Sequence, residues 1–216
     1  MVRLLIFDLD GTLSYTLPSI HHAVSLALKK LGYPDRTLDD VATAIGSGAR
    51  NLIRNLMPPD DAKDDAKIEE LLSCYNEMYK KTYLEADRCY DGMADAVREL
   101  VRRGYTAAVL SNTREDYTVD IVSGLFEDGT ISLVRGQTSL PIKPDPTVPL
   151  MIAAELGFDP SCAAFIGDSE VDVMTAKNAG MMSVGCSWGY RPREVLLNCN
   201  ADSVIDHPSQ LLDIFK

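Results

Sequence analysis

Asp8 and Asp10 stand two apart at the end of the run Arg3-Leu4-Leu5-Ile6-Phe7-Asp8-Leu9-Asp10-Gly11-Thr12-Leu13. The four apolar residues before Asp8 form an unbroken block, the pattern of a strand covered on both faces. Two carboxylates just beyond such a strand are costly beside apolar walls unless a cation lies between them. The ordinary reading is a turn, since Asp-Gly is common turn chemistry. Other strand ends shift the balance. A second apolar run, Thr106 to Leu110, ends in Ser111-Asn112-Thr113, and a third, Ala163 to Ile166, ends in Gly167-Asp168-Ser169-Glu170-Val171-Asp172. Lys143 follows a weaker strand pattern at Ile131 to Val134.

Parallel sheets bind ligands beyond the carboxyl ends of their strands, so these groups are expected on one rim. The set holds carboxylates, a hydroxyl, an amide and one lysine. It contains no His, no Cys and no Gly-x-Gly-x-x-Gly. Oxygen ligands of this type suit a hard cation that keeps some of its waters, which favours Mg²⁺ over zinc. Mg²⁺ in turn commonly joins a protein carboxylate to a substrate phosphate, and Lys143 and Ser111 would supply further donors to phosphoryl oxygens. One carboxylate could attack phosphorus, and a second could give and take the proton. Each residue has a plainer reading alone: a solvated lysine, a helix-capping serine, an Asp168/Asp172 pair serving a helix dipole. Their coincidence at successive strand ends favours the chemical one.

The elements that must position these groups follow from periodicity. Pro18 to Leu31 carries a helical stripe (Ile20, Ala23, Val24, Ala27, Leu28, Leu31), and Leu38 to Ile45 and Ala49 to Met57 are two more helices split by Gly46-Ser47-Gly48. A longer helix after Pro58-Pro59 has Ile68, Leu71, Leu72, Tyr75, Tyr79 and Thr82 on one face. No strand pattern occurs between about 15 and 85. From Asp91 on, helix and strand alternate, the signature of a parallel sheet with crossover helices. Asp91 is expected to cap the first of these helices, and Pro146 to lie in the first turn of the one that Lys143-Pro144-Asp145-Pro146 opens. Ser183 to Cys186 and Ser203 to Ile205 complete the strands, and Pro208 to Phe215 is the closing helix. The expected division is an α/β core of 1–14 and 87–216 with an inserted helical domain at 15–86.

The chain has 216 residues, enough for a substantial core with an insertion, and a net charge of −11, which argues against nucleic acid and anionic membrane as partners. The absence of a long apolar run and of a leader pattern sets the expectation of a cytoplasmic protein. Five widely spaced cysteines without Cys-x-x-Cys suggest neither a zinc site nor a disulfide framework.

These motifs resemble those of the haloacid dehalogenase superfamily of phosphatases. Asp8-Leu9-Asp10-Gly11-Thr12, Ser111-Asn112, Lys143-Pro144 and Gly167-Asp168-Ser169 with Asp172 match its four motifs in order and spacing. The resemblance implies a Rossmann-like parallel core with a small α-helical cap, Asp8 as nucleophile and Asp10 as general acid and base. It implies Mg²⁺ held by Asp8, the Asp10 backbone carbonyl and Asp168, with Asp172 in support, and phosphoryl binding by Ser111, Asn112 and Lys143. Within the superfamily the chain looks most like phosphoglycolate phosphatases, on Ile45-Gly46-Ser47-Gly48, Lys143-Pro144-Asp145-Pro146, Gly167-Asp168-Ser169-Glu170-Val171-Asp172 and Trp188-Gly189-Tyr190. Tyr15-Thr16 departs from the Asp-Ser that the family often carries there. For the rest of the substrate the candidates are Gly48, Arg50 in the helix turn behind it, and Arg114. The expected substrate is a small soluble phosphate ester, and the expected assembly a monomer or homodimer. The competing readings are a phosphosugar mutase like β-phosphoglucomutase on the same core and a phospho-aspartate signalling switch. A mutase would isomerise a sugar phosphate without releasing phosphate. A switch needs neither Asp10 as an acid nor a cap.

Overall fold

A computed structural model describes residues 1–85 and 88–216. The first strand, β1 (Leu4–Phe7), is entirely buried, as its unbroken apolar run requires. Around it lie β2 (Thr106–Arg114), β3 (Leu133–Gln137), β4 (Ala163–Gly167), β5 (Met182–Cys186) and β6 (Ser203–Ile205). All neighbours pair in parallel, in the order β3-β2-β1-β4-β5-β6. The chain thus places β2 and β4, whose ends carry the polar residues, on either side of β1. Leu4 and Ile6 pack on one face of the sheet with Ala108, Leu110, Phe165, Ile152 and Ala176. Burial of this kind is worth about 1.5–3 kcal/mol per large side chain, and it fixes the strand register that aligns the ends.

Chain contacts divide the protein into two compact units: Met1–Tyr15 with Arg88–Lys216, and the residues between them from Thr16 on. The expected boundary at 86–87 falls on residues outside those described. In the first unit the two chain crossings run side by side. Tyr15 N–H donates to the Arg88 carbonyl (3.0 Å), Ser14 Oγ to the same oxygen (3.1 Å), and Tyr90 N–H to the Leu13 carbonyl (3.1 Å).

The second unit is helical: α1 (Leu17–Lys30), α2 (Leu38–Ala44), α3 (Ala49–Leu56) and α4 (Asp65–Thr82), with a short 3₁₀ turn at Asp61–Lys63. Thr37 and Asp40 form a capping box at the start of α2, and the Asp64 carboxylate caps α4. Ile20, Ala23, Val24 and Ala27 of α1 and Ile68, Leu71, Tyr75 and Tyr79 of α4 form its buried stripes. No described residue of this unit is in a strand.

In the first unit α5 (Met93–Arg102), α6 (Glu115–Leu125), α7 (Thr147–Glu155), α8 (Glu170–Asn178) and α9 (Arg193–Asn198) lie between the strands, and α10 (Leu211–Ile214) follows the last one. Several expectations need correction. The cap of α5 is Gly92 in the left-handed region (φ 81°), with no side-chain bond from Asp91. Pro146 precedes α7, and the Asp145 carboxylate accepts from Thr147 N–H (2.9 Å) and takes the capping role. β2 continues past Leu110 to Arg114 through a register shift. Helix α9 gives too little periodicity in six residues to be read. All five cysteines are free thiols. No described helix is long and apolar enough to cross a membrane.

Candidate active site

Asp8 follows β1 directly, and its N–H donates to the Ile166 carbonyl of β4 (2.8 Å), so the strand pairing itself sets its position. The chain then turns tightly: Ser14 N–H and Leu13 N–H both donate to the Leu9 carbonyl, and Gly11 N–H donates to the Ser14 carbonyl. Gly11 has φ 89°, a conformation that other residues adopt at a cost. A side chain there would also run into the Asp168 carboxylate, as would one at Gly189. These two glycines let the backbone close around that carboxylate.

Lys143 lies at the centre. It is buried, and its Nζ donates to Asp8 Oδ1 at 2.6 Å and to Asp172 Oδ1 at 2.7 Å. Asn112 clamps the Lys143 backbone from both sides: its Oδ1 accepts from Lys143 N–H (2.9 Å) and its Nδ2 donates to the Lys143 carbonyl (3.1 Å). The Asn112 side chain therefore holds the Lys143 backbone in place. The other oxygen of Asp172 accepts from Ser169 Oγ (2.6 Å) and Ser169 N–H (3.1 Å) in a capping box at the start of α8. Asp168 is bound by Tyr190 N–H at 2.6 Å. Asp10 Oδ2 accepts from Ser111 Oγ (3.0 Å) and from Thr113 Oγ1 (2.7 Å).

Charge makes the cluster unusual. Asp8, Asp10, Asp168 and Asp172 are all buried near one ammonium. Burial, then Asp172, Asp168 and Asp10, push the Asp8 carboxyl well above the usual carboxylate range, against the pull of Lys143. Asp168 is raised to about 7 by burial and by Asp172, with Tyr190 N–H, Arg191 and Lys143 opposing. Burial disfavours the charged lysine, but Asp172 and Asp8 more than offset it, so Lys143 stays protonated above its ordinary value. Burial beside these acids also pushes up the Cys186 thiol, which makes it inert as a nucleophile.

One oxygen from each of Asp8, Asp168 and Asp172 falls within 4.8 Å of the others, a spacing that fits a metal ion. Both Asp172 oxygens are already engaged by Lys143 and Ser169, so Asp8 and Asp168 are the stronger side-chain ligands. An all-oxygen set with excess negative charge fits a hard divalent cation.

The remaining candidates lie elsewhere in the hydrogen-bond network. Arg50 donates to Glu69 Oε1 (2.8 Å) and Asp65 Oδ1 (2.9 Å) within the helical unit. Gly48 is the cap residue of α3, at φ 80°. Arg114 pairs with both oxygens of Asp116 and stacks over the Tyr117 ring at 4.7 Å. Thr113, Ser169 and Tyr190 stand in the quoted stretches, but their contacts with Asp10, Asp172 and Asp168 are not among the expected roles. Only Ser169 carries a sequence signal, the Ser-x-x-Asp of a capping box.

A parallel sheet with four acids, a lysine and a serine gathered at the ends of adjacent strands is the core of a phosphotransfer enzyme. The family model for haloacid dehalogenase-like hydrolases matches residues 5–186. The chain belongs to this family, as a phosphoric monoester hydrolase of phosphoglycolate phosphatase-like type. It is 31% identical over 220 residues to the phosphoglycolate phosphatase of Haemophilus influenzae, covering 98% of this chain and 97% of that one. It is 34% identical over 192 residues to that of Pseudomonas putida, covering 87% and 70%. A solved structure described as a predicted phosphoglycolate phosphatase from Haemophilus somnus superposes with a TM-score of 0.91 at 27% identity, over 100% of this chain and 98% of that one.

Proposed function

We propose that the protein is a Mg²⁺-dependent phosphatase that hydrolyses a small phosphate monoester through an aspartyl-phosphate on Asp8, with 2-phosphoglycolate as the leading substrate. The observation that carries this reading is the buried bridge from Lys143 to Asp8 and Asp172, beside Asp168. It orients a carboxylate at a strand end and sets a fixed positive charge next to it.

Asp8, the Asp10 carbonyl and Asp168 would hold Mg²⁺, which supplies positive charge against the phosphoryl oxygens when bound. Lys143 fixes Asp8 Oδ1 and favours its ionised form, opposing burial and the acidic neighbours that push the carboxyl toward its protonated form. Asp8 attacks phosphorus, the bond to the leaving oxygen breaks, and Asp10 delivers a proton to that oxygen. Asp10 then takes a proton from water, which attacks the phosphorus of the acyl phosphate, releases phosphate and restores Asp8. Ser111 and the backbone N–H groups at the end of β2 are the proposed donors to the phosphoryl oxygens. The helical unit is the proposed selector of the substrate's non-phosphate part.

The two carboxylate partners of Arg50 support a structural role for it rather than a part in that selection. Replacing it by alanine is expected to leave KM for 2-phosphoglycolate within about twofold, as for a group that contributes no substrate binding. Steady-state phosphate release measures this, and a rise in KM beyond that range returns Arg50 to recognition.

Metal binding is expected to show in stability. Asp8 and Asp168 have folded pKa values above their unfolded ones, so without a cation the folded state binds more protons and loses stability as pH rises toward and through about 7. A divalent cation offsets the same repulsion. The Tm gain from millimolar Mg²⁺ should therefore be larger at pH 8 than at pH 5.5, and EDTA should abolish it. A thermal scan with equal Tm with and without Mg²⁺ at pH 8 counts against the metal.

A further inference from the structure

Two hydroxyls donate to the same oxygen of Asp10, and they are not equivalent. Ser111 Oγ is 3.0 Å from Oδ2 and itself accepts from Thr113 N–H (3.0 Å). Thr113 Oγ1 is closer, at 2.7 Å. A serine hydroxyl has one proton. If Ser111 donates to a phosphoryl oxygen during turnover, it must release Asp10, and Thr113 then keeps its hold. Thr113 is suited to this. Its β-branched side chain is stiff at χ1, and its backbone is pinned on both sides, by the bond to Ser111 Oγ and by Thr118 Oγ1 donating to its carbonyl (3.1 Å).

We infer that Thr113 is a positioning residue for the proton-carrying carboxylate: its hydroxyl holds Oδ2 of Asp10 and so keeps the carboxylate in one orientation when Ser111 turns to the phosphoryl group. The acid form that protonates the leaving oxygen, and the base form that receives a proton from water, thus act from the same orientation of the side chain. This goes beyond the four motifs, and it rests on the assignment of Asp10 as acid and base.

The test exploits the leaving group. An alkyl phosphate needs its departing oxygen protonated, whereas p-nitrophenyl phosphate expels a stable anion and needs little help. Values of kcat/KM report the step up to phosphoryl transfer to the enzyme, so they isolate the first use of Asp10. Thr113→Val keeps the shape and removes the donor. It is expected to lower kcat/KM for 2-phosphoglycolate by about 10- to 100-fold, a part of the usual worth of general acid catalysis, and to lower it far less for p-nitrophenyl phosphate. Thr113→Ser should restore the alkyl phosphate reaction, and Thr113→Ala serves if the valine variant does not fold. Asp10→Asn is run in parallel and should show the same leaving-group contrast in larger measure. A contrast in Asp10→Asn that is missing from both hydroxyl-free variants overturns the role of Thr113 alone. Loss of the contrast in Asp10→Asn as well overturns the acid on which it rests. Equal losses on both substrates in the Thr113 variants mean a structural role and also refute the inference.

Discussion

Asp8→Asn is expected to reduce phosphate release by about 10⁴-fold or more, the scale seen when a covalent nucleophile is removed. The amide matches the carboxylate in shape but cannot form the acyl phosphate. The fold should persist, because β1 is held by pairing on both sides and by apolar burial, neither of which involves the Asp8 carboxylate. The electrostatic balance also favours this. The surroundings of Asp8 disfavour its charged form, first by burial and then through Asp172 and its neighbours. That penalty is absent below the unfolded pKa and grows as pH rises through the folded one. Relative to the native chain, the variant should therefore gain stability as pH increases. Thermal unfolding from pH 5 to pH 8 combined with a phosphate-release assay checks both parts, and turnover near the native rate would sink the covalent scheme.

The second large effect is expected at Lys143, where Lys143→Met should lower both activity and stability. Removing the ammonium leaves Asp8 and Asp172 facing each other without their shared donor. Truncating one member of a buried ion pair costs about 3–5 kcal/mol when the remaining charge cannot be compensated. Here Asp8 can take up a proton, so the deficit should be smaller at pH 5 than at pH 8. Catalysis cannot use that escape, because a protonated Asp8 is no nucleophile. Activity is expected to fall by about 10²- to 10³-fold, comparable with the loss of a fixed donor in a preorganised site. Chemical denaturation at the two pH values and kcat/KM at pH 7.5 are the measurements. A variant with native stability at pH 8 would show that the bridge contributes little.

The core was legible because its signals are local. Leu4–Phe7 is apolar without interruption and the charged residues start at once, so strand and rim can be read together. The same holds for Ala163–Gly167 and the acids after it. What stayed hidden depends on partners distant in sequence. The commitment of Arg50 to Asp65 and Glu69, 15 and 19 residues away, depends on how α3 packs beside α4. The side chain of Asn112 reads equally well as a phosphate donor until the peptide of Lys143, 31 residues on, is seen between its two polar atoms. Thr113 looked like the polar end of a strand. Because β2 runs on through a register shift, its hydroxyl reaches Asp10. Helix ends differ from the expected ones by a residue or two where backbone geometry competes with a side chain, as at Gly92 beside Asp91.

Trp188, the only tryptophan of the chain, donates its indole N–H to the Thr12 carbonyl at 3.1 Å, and its ring lies 6.4 Å from that of Tyr90. The turn that carries Asp10 is thus tied to the protein's one strong intrinsic fluorophore. Indole emission comes from a single address in the molecule, so that turn can be followed in real time without attaching a dye.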